Sequence, residues 1–388
     1  MTIPYFVEIS HNSLNKFGEE LCGDHVEILE TDDRIIVVLA DGLGSGVKAN
    51  ILSTLTSKIM ATMLQKGEGL IETIDTITKT LPVCQVRNIG YSTFTVLEVD
   101  KSLHARIIEF DNPPVFLIRD HQLLNPKKIK LESSGKNLLV TDFSLQLEDV
   151  ITVCSDGVIH AGVGNILNHG WQWHHVGEFL AKQSIASAEI LNRRLINTCR
   201  DLYDNKPGDD TSAVTVKIRK PIWTHIFAGP PVRTTDDSNA VSMFMKQSGR
   251  KIVCGGTAAN IVARELGRSV NTTLDYIDPS IPPTASIKGI DLVTEGVLTL
   301  NMALNELRFL NHNMEEPVFK KADGVSKLLQ IILRDSSHIK FWIGRTINSA
   351  HKSCPEFPDN LVIKERIIQE IMEELNLFGK RVSFEYTD

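Results

Sequence analysis

The hydrophobic period changes repeatedly along the first half of the chain. Arg34–Ala40 (RIIVVLA) is a run of β-branched and aliphatic residues that stops at Asp41-Gly42, as a buried strand closed by a turn would. Ala49–Gln65 then carries apolar residues at helical spacing, through Ile51, Leu52, Leu55, Ile59, Met60, Met63 and Leu64. A second helical pattern covers Leu70–Leu81. Tyr91–Val99, Ala105–Phe110 and Val115–Arg119 read as strands, the last following an Asn112-Pro113-Pro114 bend. Asp149–Cys154 (DVITVC) is an apolar strand that stops at Ser155-Asp156-Gly157. Val176–Ala181 and Ser187–Leu202 read as helices, and Ser212–Ile218 as a further strand. Strands outnumber helices, and the two main helices are adjacent in sequence, which predicts an α+β layered domain.

Lys220–Asp237 contains three prolines and reads as a linker or domain start. Beyond it the pattern is that of a smaller α/β domain. Strands are expected at Arg250–Cys254, Asp291–Val293, His338–Ile343 and Arg381–Tyr386. Helices are expected at Ala258–Leu266, Leu298–Phe309, Gly324–Leu333 and Val362–Leu375. The expected division is therefore 1–219 and 220–388, with a regulatory or ligand- or partner-binding role for the second part.

Composition narrows the classes. With 41 Lys+Arg against 48 Asp+Glu the net charge is -7, which speaks against a nucleic-acid partner. No apolar run approaches the roughly 18 residues of a membrane span, and the first residues lack a leader-like apolar core. The expected location is the cytoplasm, with no membrane partner. Six scattered cysteines (Cys22, Cys84, Cys154, Cys199, Cys254, Cys354) form no CxxC pair, so they are expected to be free thiols rather than zinc ligands.

The chemistry lies in aspartates at strand ends. Asp41 and Asp156 follow strands and precede glycines, and Asp209-Asp210 stand just before a strand. Strand ends meet at a sheet edge, so carboxylates far apart in sequence can gather there. Asp-Gly alone usually marks only a turn. The combination, rich in aspartate and poor in histidine, suits hard divalent cations such as Mg²⁺ or Mn²⁺. Two such ions about 3.5–4 Å apart activate water and stabilise an in-line displacement at phosphorus.

Taken in order, Gly23-Asp24, Ala40-Asp41-Gly42-Leu43-Gly44-Ser45-Gly46, Asn112-Pro113-Pro114, Cys154-Ser155-Asp156-Gly157-Val158 and Gly208-Asp209-Asp210-Thr211-Ser212 form a set. It resembles the metal-dependent serine/threonine phosphatase family, in the bacterial branch typified by stage II sporulation protein E and the regulators of stress sigma factors. The resemblance covers roughly residues 10–218. It implies a sandwich of two antiparallel sheets flanked by helices, and a dinuclear Mn²⁺ or Mg²⁺ centre. On that resemblance Asp41 bridges both ions and the Gly42 carbonyl binds the second. Asp156 and Asp209 bind the first, Asp210 being the alternative to Asp209, and Asp24 holds metal-bound water. Asp41 and Asp24 are then the catalytic pair. Two departures stand out: Gly23 occupies a position where many members carry an acid, and no arginine near the N-terminus matches the phosphate-gripping one of the eukaryotic branch.

The implied activity is hydrolysis of phosphoserine or phosphothreonine on a regulatory protein. The alternative is a signalling module in which the C-terminal domain binds a small ligand or partner and catalysis is secondary. A homodimer stays open. The Gly255-Gly256-Thr257 turn is a candidate small-ligand cradle, against the plainer reading of a turn with Thr257 as helix cap. Asp291–Glu295 reads as a solvated loop, and His174-His175 as a surface loop in which the two rings point apart. Val362–Leu375 reads as a helix packed on its own domain.

Overall fold

Each long apolar run becomes a strand or helix buried against a partner in the computed structural model. It describes residues 5–80, 92–133, 136–272, 281–314, 319, 322–345 and 360–387. Tyr91, Leu81, Cys84 and Cys354 lie outside these. Two compact units form, residues 7–219 and residues 220–388 with 1–6.

The first unit contains β1 (Phe6–Leu14), β2 (Asp24–Glu30), β3 (Arg34–Asp41), α1 (Gly46–Gln65), α2 (Leu70–Thr80), β4 (Thr93–Asp100), β5 (His104–Phe110) and β6 (Phe116–Arg119). It continues with β7 (Gln122–Leu124), β8 (Ile129–Ser133), β9 (Lys136–Ser144), β10 (Val150–Cys154), α3 (Asp156–Ile159), α4 (Trp173–Gln183), α5 (Ala188–Leu202) and β11 (Thr211–Arg219). One sheet runs β2-β3-β4-β5-β9-β8 and the other β1-β11-β10-β6-β7. The registers from β2 to β8, and from β11 through β10 and β6 to β7, are antiparallel.

Alternation along β3 explains the layers. Ile36, Val38 and Ala40 pack with Met60, Ala61 and Leu64 of α1 and with Ile74 and Ile77 of α2. Ile35, Val37 and Leu39 point the other way and are also buried. A strand buried on both faces needs a layer on each side. Helices α1 and α2 provide one, and on the other side β11 of the second sheet meets β2. Helix α5 covers β11, and its Ser187 cap accepts from the Ile190 amide. The α+β sandwich expected from the sequence is the fold observed.

Several local readings are corrected. His174 and His175 lie in the first turn of α4, with ring centroids 3.8 Å apart. Their rings lie against each other, tilted by 46°, rather than diverge. Strands β1, β2, β8 and β9 were not legible as strands.

The second unit contains β12 (Trp223–Ala228), α6 (Asp237–Lys246), β13 (Arg250–Cys254), α7 (Gly256–Glu265), β14 (Asn271–Thr272), β15 (Ala285–Ser286), β16 (Leu292–Thr294) and α8 (Val297–Asn313). After them come α9 (Gly324–Leu329), β17 (His338–Ile343), α10 (Asn360–Leu377) and β18 (Arg381–Tyr386). Its sheet runs β14-β15-β16-β13-β12-β17-β18. Strands β16, β13, β12, β17 and β18 are parallel neighbours, so in chain order the core reads 3-2-1-4-5, the doubly wound arrangement. Ile226 and Ala228 pack with α8, α9 and α10, whereas Phe227 packs with α6 and α7.

Strand β12 corrects the linker reading of Lys220–Asp237. The prolines bracket a central strand instead of marking a flexible joint. Thr257 does not cap α7; Gly255 holds the cap position at φ 113°, a backbone region that favours glycine. Asp291 and Glu295 are not idle loop acids. Asp291 accepts from the Lys251 amide at 2.7 Å, and Glu295 accepts from the Leu298 and Thr299 amides that open α8.

Candidate metal centre

In an antiparallel pair, the start of one strand lies beside the end of its neighbour. Asp24 opens β2 and Asp41 closes β3, and the register sets them directly opposite. On the other sheet Asp156 follows the end of β10, and Asp209-Asp210 precede β11, where Cys154 pairs with Ala213. Ser155 and Ser212 lock that end: the Ser155 amide donates to the Ser212 carbonyl at 3.0 Å, and the Ser212 amide to Ser155 Oγ at 2.9 Å. The structure brings all five aspartates into one acidic cluster, in which Asp41 feels the charges of Asp24, Asp156, Asp209 and Asp210.

Burial varies within the cluster. Asp24 and Asp210 are buried, while Asp156 and Asp209 keep 43% and 45% of their side-chain surface open. Burial first, then neighbouring carboxylates, pushes Asp41 up to about 8. Burial likewise pushes Asp24 up to about 7, against the pull of the nearby Ser155 and Ser212 hydroxyls. Neither hydroxyl makes a well-formed hydrogen bond to it: both Asp24 carboxylate oxygens are buried without a partner. The Ser212 hydroxyl donates to Ser13 Oγ at 2.7 Å.

A buried, unpartnered carboxylate costs several kcal/mol unless a cation or proton compensates it. The donor set therefore fits divalent cations. Among the described residues no three His, Cys, Asp or Glu side chains form a ready cage. Sparse carboxylates are what Mg²⁺-type ions, which keep several waters, require.

Three glycines make the convergence possible by contact with protein rather than with ligand. A Cβ on Gly42 would lie 2.0 Å from the Ala49 carbonyl oxygen. One on Gly157 would lie 2.2 Å from the Asp210 carbonyl oxygen, and one on Gly23 2.6 Å from Asp210 Oδ2. The contact at Gly23 also accounts for the missing acid there: any side chain would displace Asp210. The Tyr203 hydroxyl donates to the Gly157 carbonyl at 2.8 Å and holds the α3 turn. Cys22 is no nucleophile here, since burial and then Asp24 push its thiol up to about 12.

Two basic groups missed in the sequence stand at the rim. His160 Nδ1 is 3.8 Å from Asp156 Oδ2, four residues on, a spacing readable once α3 is known. Lys16 Nζ is 3.7 Å from Asp209 Oδ1, across a sequence gap that leaves no local signal.

The first unit is similar in sequence to known proteins. The model of the family "Stage II sporulation protein E (SpoIIE)" matches residues 31–219. The matched stretch takes in Asp41, Asp156, Asp209 and Asp210 and begins after Asp24. The protein of that name from Priestia megaterium is 23% identical over 238 residues, 58% of this chain and 39% of that one. Its namesake from Bacillus subtilis (strain 168) is 24% identical over 219 residues, 54% and 26% of the two chains. The chain thus spans well under half the length of these relatives. A solved structure, the PP2C phosphatase domain with a fragment of the regulatory domain of SpoIIE from Bacillus subtilis, aligns with a TM-score of 0.48. That alignment is 21% identical and covers 56% of this chain and 63% of that one. No helix among the described residues is long and apolar enough to cross a membrane.

The crowded carboxylates carry a pH signature. Asp41 and Asp24 bind protons more tightly folded than unfolded, so stability falls as pH rises from about 4 to about 8. In EDTA the melting temperature is expected to drop across that window, and Mn²⁺ to restore it at the upper end. A melting temperature that climbs steadily through the window would show that the cluster is not strained by its own charge.

Proposed function

We propose that the first unit is a metal-dependent serine/threonine protein phosphatase with two Mn²⁺ or Mg²⁺ ions at the aspartate cluster. The observation that carries the reading is the convergence of Asp24, Asp41, Asp156, Asp209 and Asp210 with the Asp24 carboxylate buried and unpartnered. Two ions there would polarise the phosphoryl oxygens and make water acidic enough to attack at neutral pH. Asp41, which feels the charge of all four others, would hold both ions, and the Gly42 carbonyl would serve as the backbone ligand. Asp156 and Asp209, close enough to repel each other and open to solvent, would hold the first ion. Each carboxylate accepts one amide, Asp209 Oδ1 from Asp210 and Asp210 Oδ1 from Lys16, and Asp209 is favoured because it is open to solvent whereas Asp210 is buried. Asp24, buried behind Asp41, orients water and takes up charge.

The half-exposed Asp156 and Asp209 favour a phosphate presented on a protein over an enclosed metabolite, which would bury most of its surface. The proposed substrate is phosphoserine or phosphothreonine of a regulatory protein. The doubly wound unit has its own core and is assigned regulation or targeting.

Hydrolysis of p-nitrophenyl phosphate should require added Mn²⁺ or Mg²⁺ and disappear in EDTA. A variant ending at Arg219 should keep that activity, and change only its rate on a protein substrate or its response to a ligand. Full activity after exhaustive chelation would rule out the metal reading. A truncated protein that folds and binds Mn²⁺ yet hydrolyses nothing would rule out the division of labour.

A further inference from the structure

An acidic cluster that receives a phosphate dianion needs more than cations between the carboxylates. It needs a positive group on the open side, where Lys16 stands beside Asp209. We propose that Lys16 fills this role and grips the phosphoryl group of the substrate; the proposal rests on the phosphatase reading above.

The backbone of Lys16 is fixed to the cluster from two directions. Its amide donates to Asp210 Oδ1 at 3.0 Å, and the next amide, of Phe17, donates to the Pro207 carbonyl at 2.8 Å. The loop after β1 is thereby tied to the segment that carries Asp209 and Asp210. Lys206 lies over the Phe17 ring at 5.7 Å and packs the same junction. The Lys16 stem therefore starts from a placed Cα, which lowers the ordering cost of gripping a ligand.

The ammonium itself is held in reserve. Its Nζ stands 3.7 Å from Asp209 Oδ1, longer than a hydrogen bond, and the side chain is 37% exposed. Among the described residues no hydrogen bond consumes its donors. Lys217 is the contrast: its Nζ donates to the carbonyls of Ser184, Ile185 and Ala186 and is a structural cation. A loose surface pair such as Lys16–Asp209 contributes little to stability. With Asp209 engaged by an ion, Lys16 would keep its three donors for phosphate, to which a point charge is suited. His160, the other basic group at the rim, pairs with Asp156 from a helix end and has no comparable anchoring to the Asp209-Asp210 segment.

The test uses the full chain, saturated with Mn²⁺, and the variants Lys16→Gln and Lys16→Arg. Calorimetry gives the affinities for inorganic phosphate and for Mn²⁺, and p-nitrophenyl phosphate gives KM and kcat. Lys16→Gln is expected to weaken phosphate binding roughly ten-fold or more, the loss of one charge-assisted hydrogen bond, and to raise KM. Mn²⁺ affinity should hold or tighten, because a repelling charge has gone. Lys16→Arg should recover most of the phosphate affinity. If Lys16→Gln binds phosphate as the unaltered protein does, within about two-fold, or if its only change is weaker Mn²⁺ binding, Lys16 is merely a partner of Asp209 and the proposal is overturned. Failure of the phosphatase reading looks different: the unaltered protein would show no Mn²⁺-dependent hydrolysis, and both assignments would fall.

Discussion

Replacing Asp41 by asparagine should cut Mn²⁺-dependent hydrolysis by at least ~10²-fold, the scale of removing one major electrostatic contribution to a transition state. The substitution keeps the size of the side chain and changes its charge. Asp41 sits opposite Asp24 in the β2–β3 register and is the carboxylate coupled to the other four. It is therefore the group through which both ions would be held. The same substitution should stabilise the metal-free protein. Its carboxylate is pushed up to about 8 by burial and crowding, so a neutral group there relieves repulsion at neutral pH. Lower activity with a higher melting temperature in EDTA is a combined result that a simple folding defect does not produce. A variant that folds normally and keeps most of its hydrolysis would dismiss Asp41 from the centre.

What could be read in the sequence depended on where each segment's partners lie. Strands β3 and β10 were legible because both faces are buried and nearly every interior residue is apolar. Helices α1, α5 and α10 were legible because apolar residues three and four apart share one face only when the chain is helical. Strand β12 was not, since Thr224 and His225 are polar and prolines flank it. Its polar groups are satisfied from afar: Thr224 Oγ1 lies 2.6 Å from Ser336 Oγ, and His225 Nδ1 accepts from Trp342 Nε1 at 3.3 Å. Strands β8 and β9, the last two of their sheet, carry Lys130, Glu132 and Asp142, and the alternation is diluted. The aspartates were legible as a set through their spacing and neighbours. Their unequal burial was not, and neither was Lys16, because both come from contacts between loops nearly two hundred residues apart.

The glycines show the same limit, and they lead to a second large effect. Beside each of Asp24, Asp41 and Asp156 stands a glycine, easily taken for a turn residue or for one that admits a ligand. At Gly42 the reason is steric contact within the protein. Its backbone does not need the left-handed region; a Cβ there would meet the Ala49 carbonyl oxygen at 2.0 Å and the carbonyl carbon at 2.6 Å. Both are main-chain atoms in the first turns of α1, and no side-chain rotation can clear them. Gly42→Ala should thus push the start of α1 away from the end of β3 by an ångström or more. Displacement on that scale at a reacting centre costs about 10²-fold in rate. The expected outcome is a folded protein with a lowered melting temperature, weakened Mn²⁺ binding and hydrolysis reduced by about that factor. Gly69→Ala is the matched control, since a Cβ there meets nothing within 4 Å and the backbone is not left-handed. It should leave rate and ion affinity unchanged. If Gly42→Ala were as silent as Gly69→Ala, the close approach of β3 to α1 would not be what sets the Asp41 carboxylate in place.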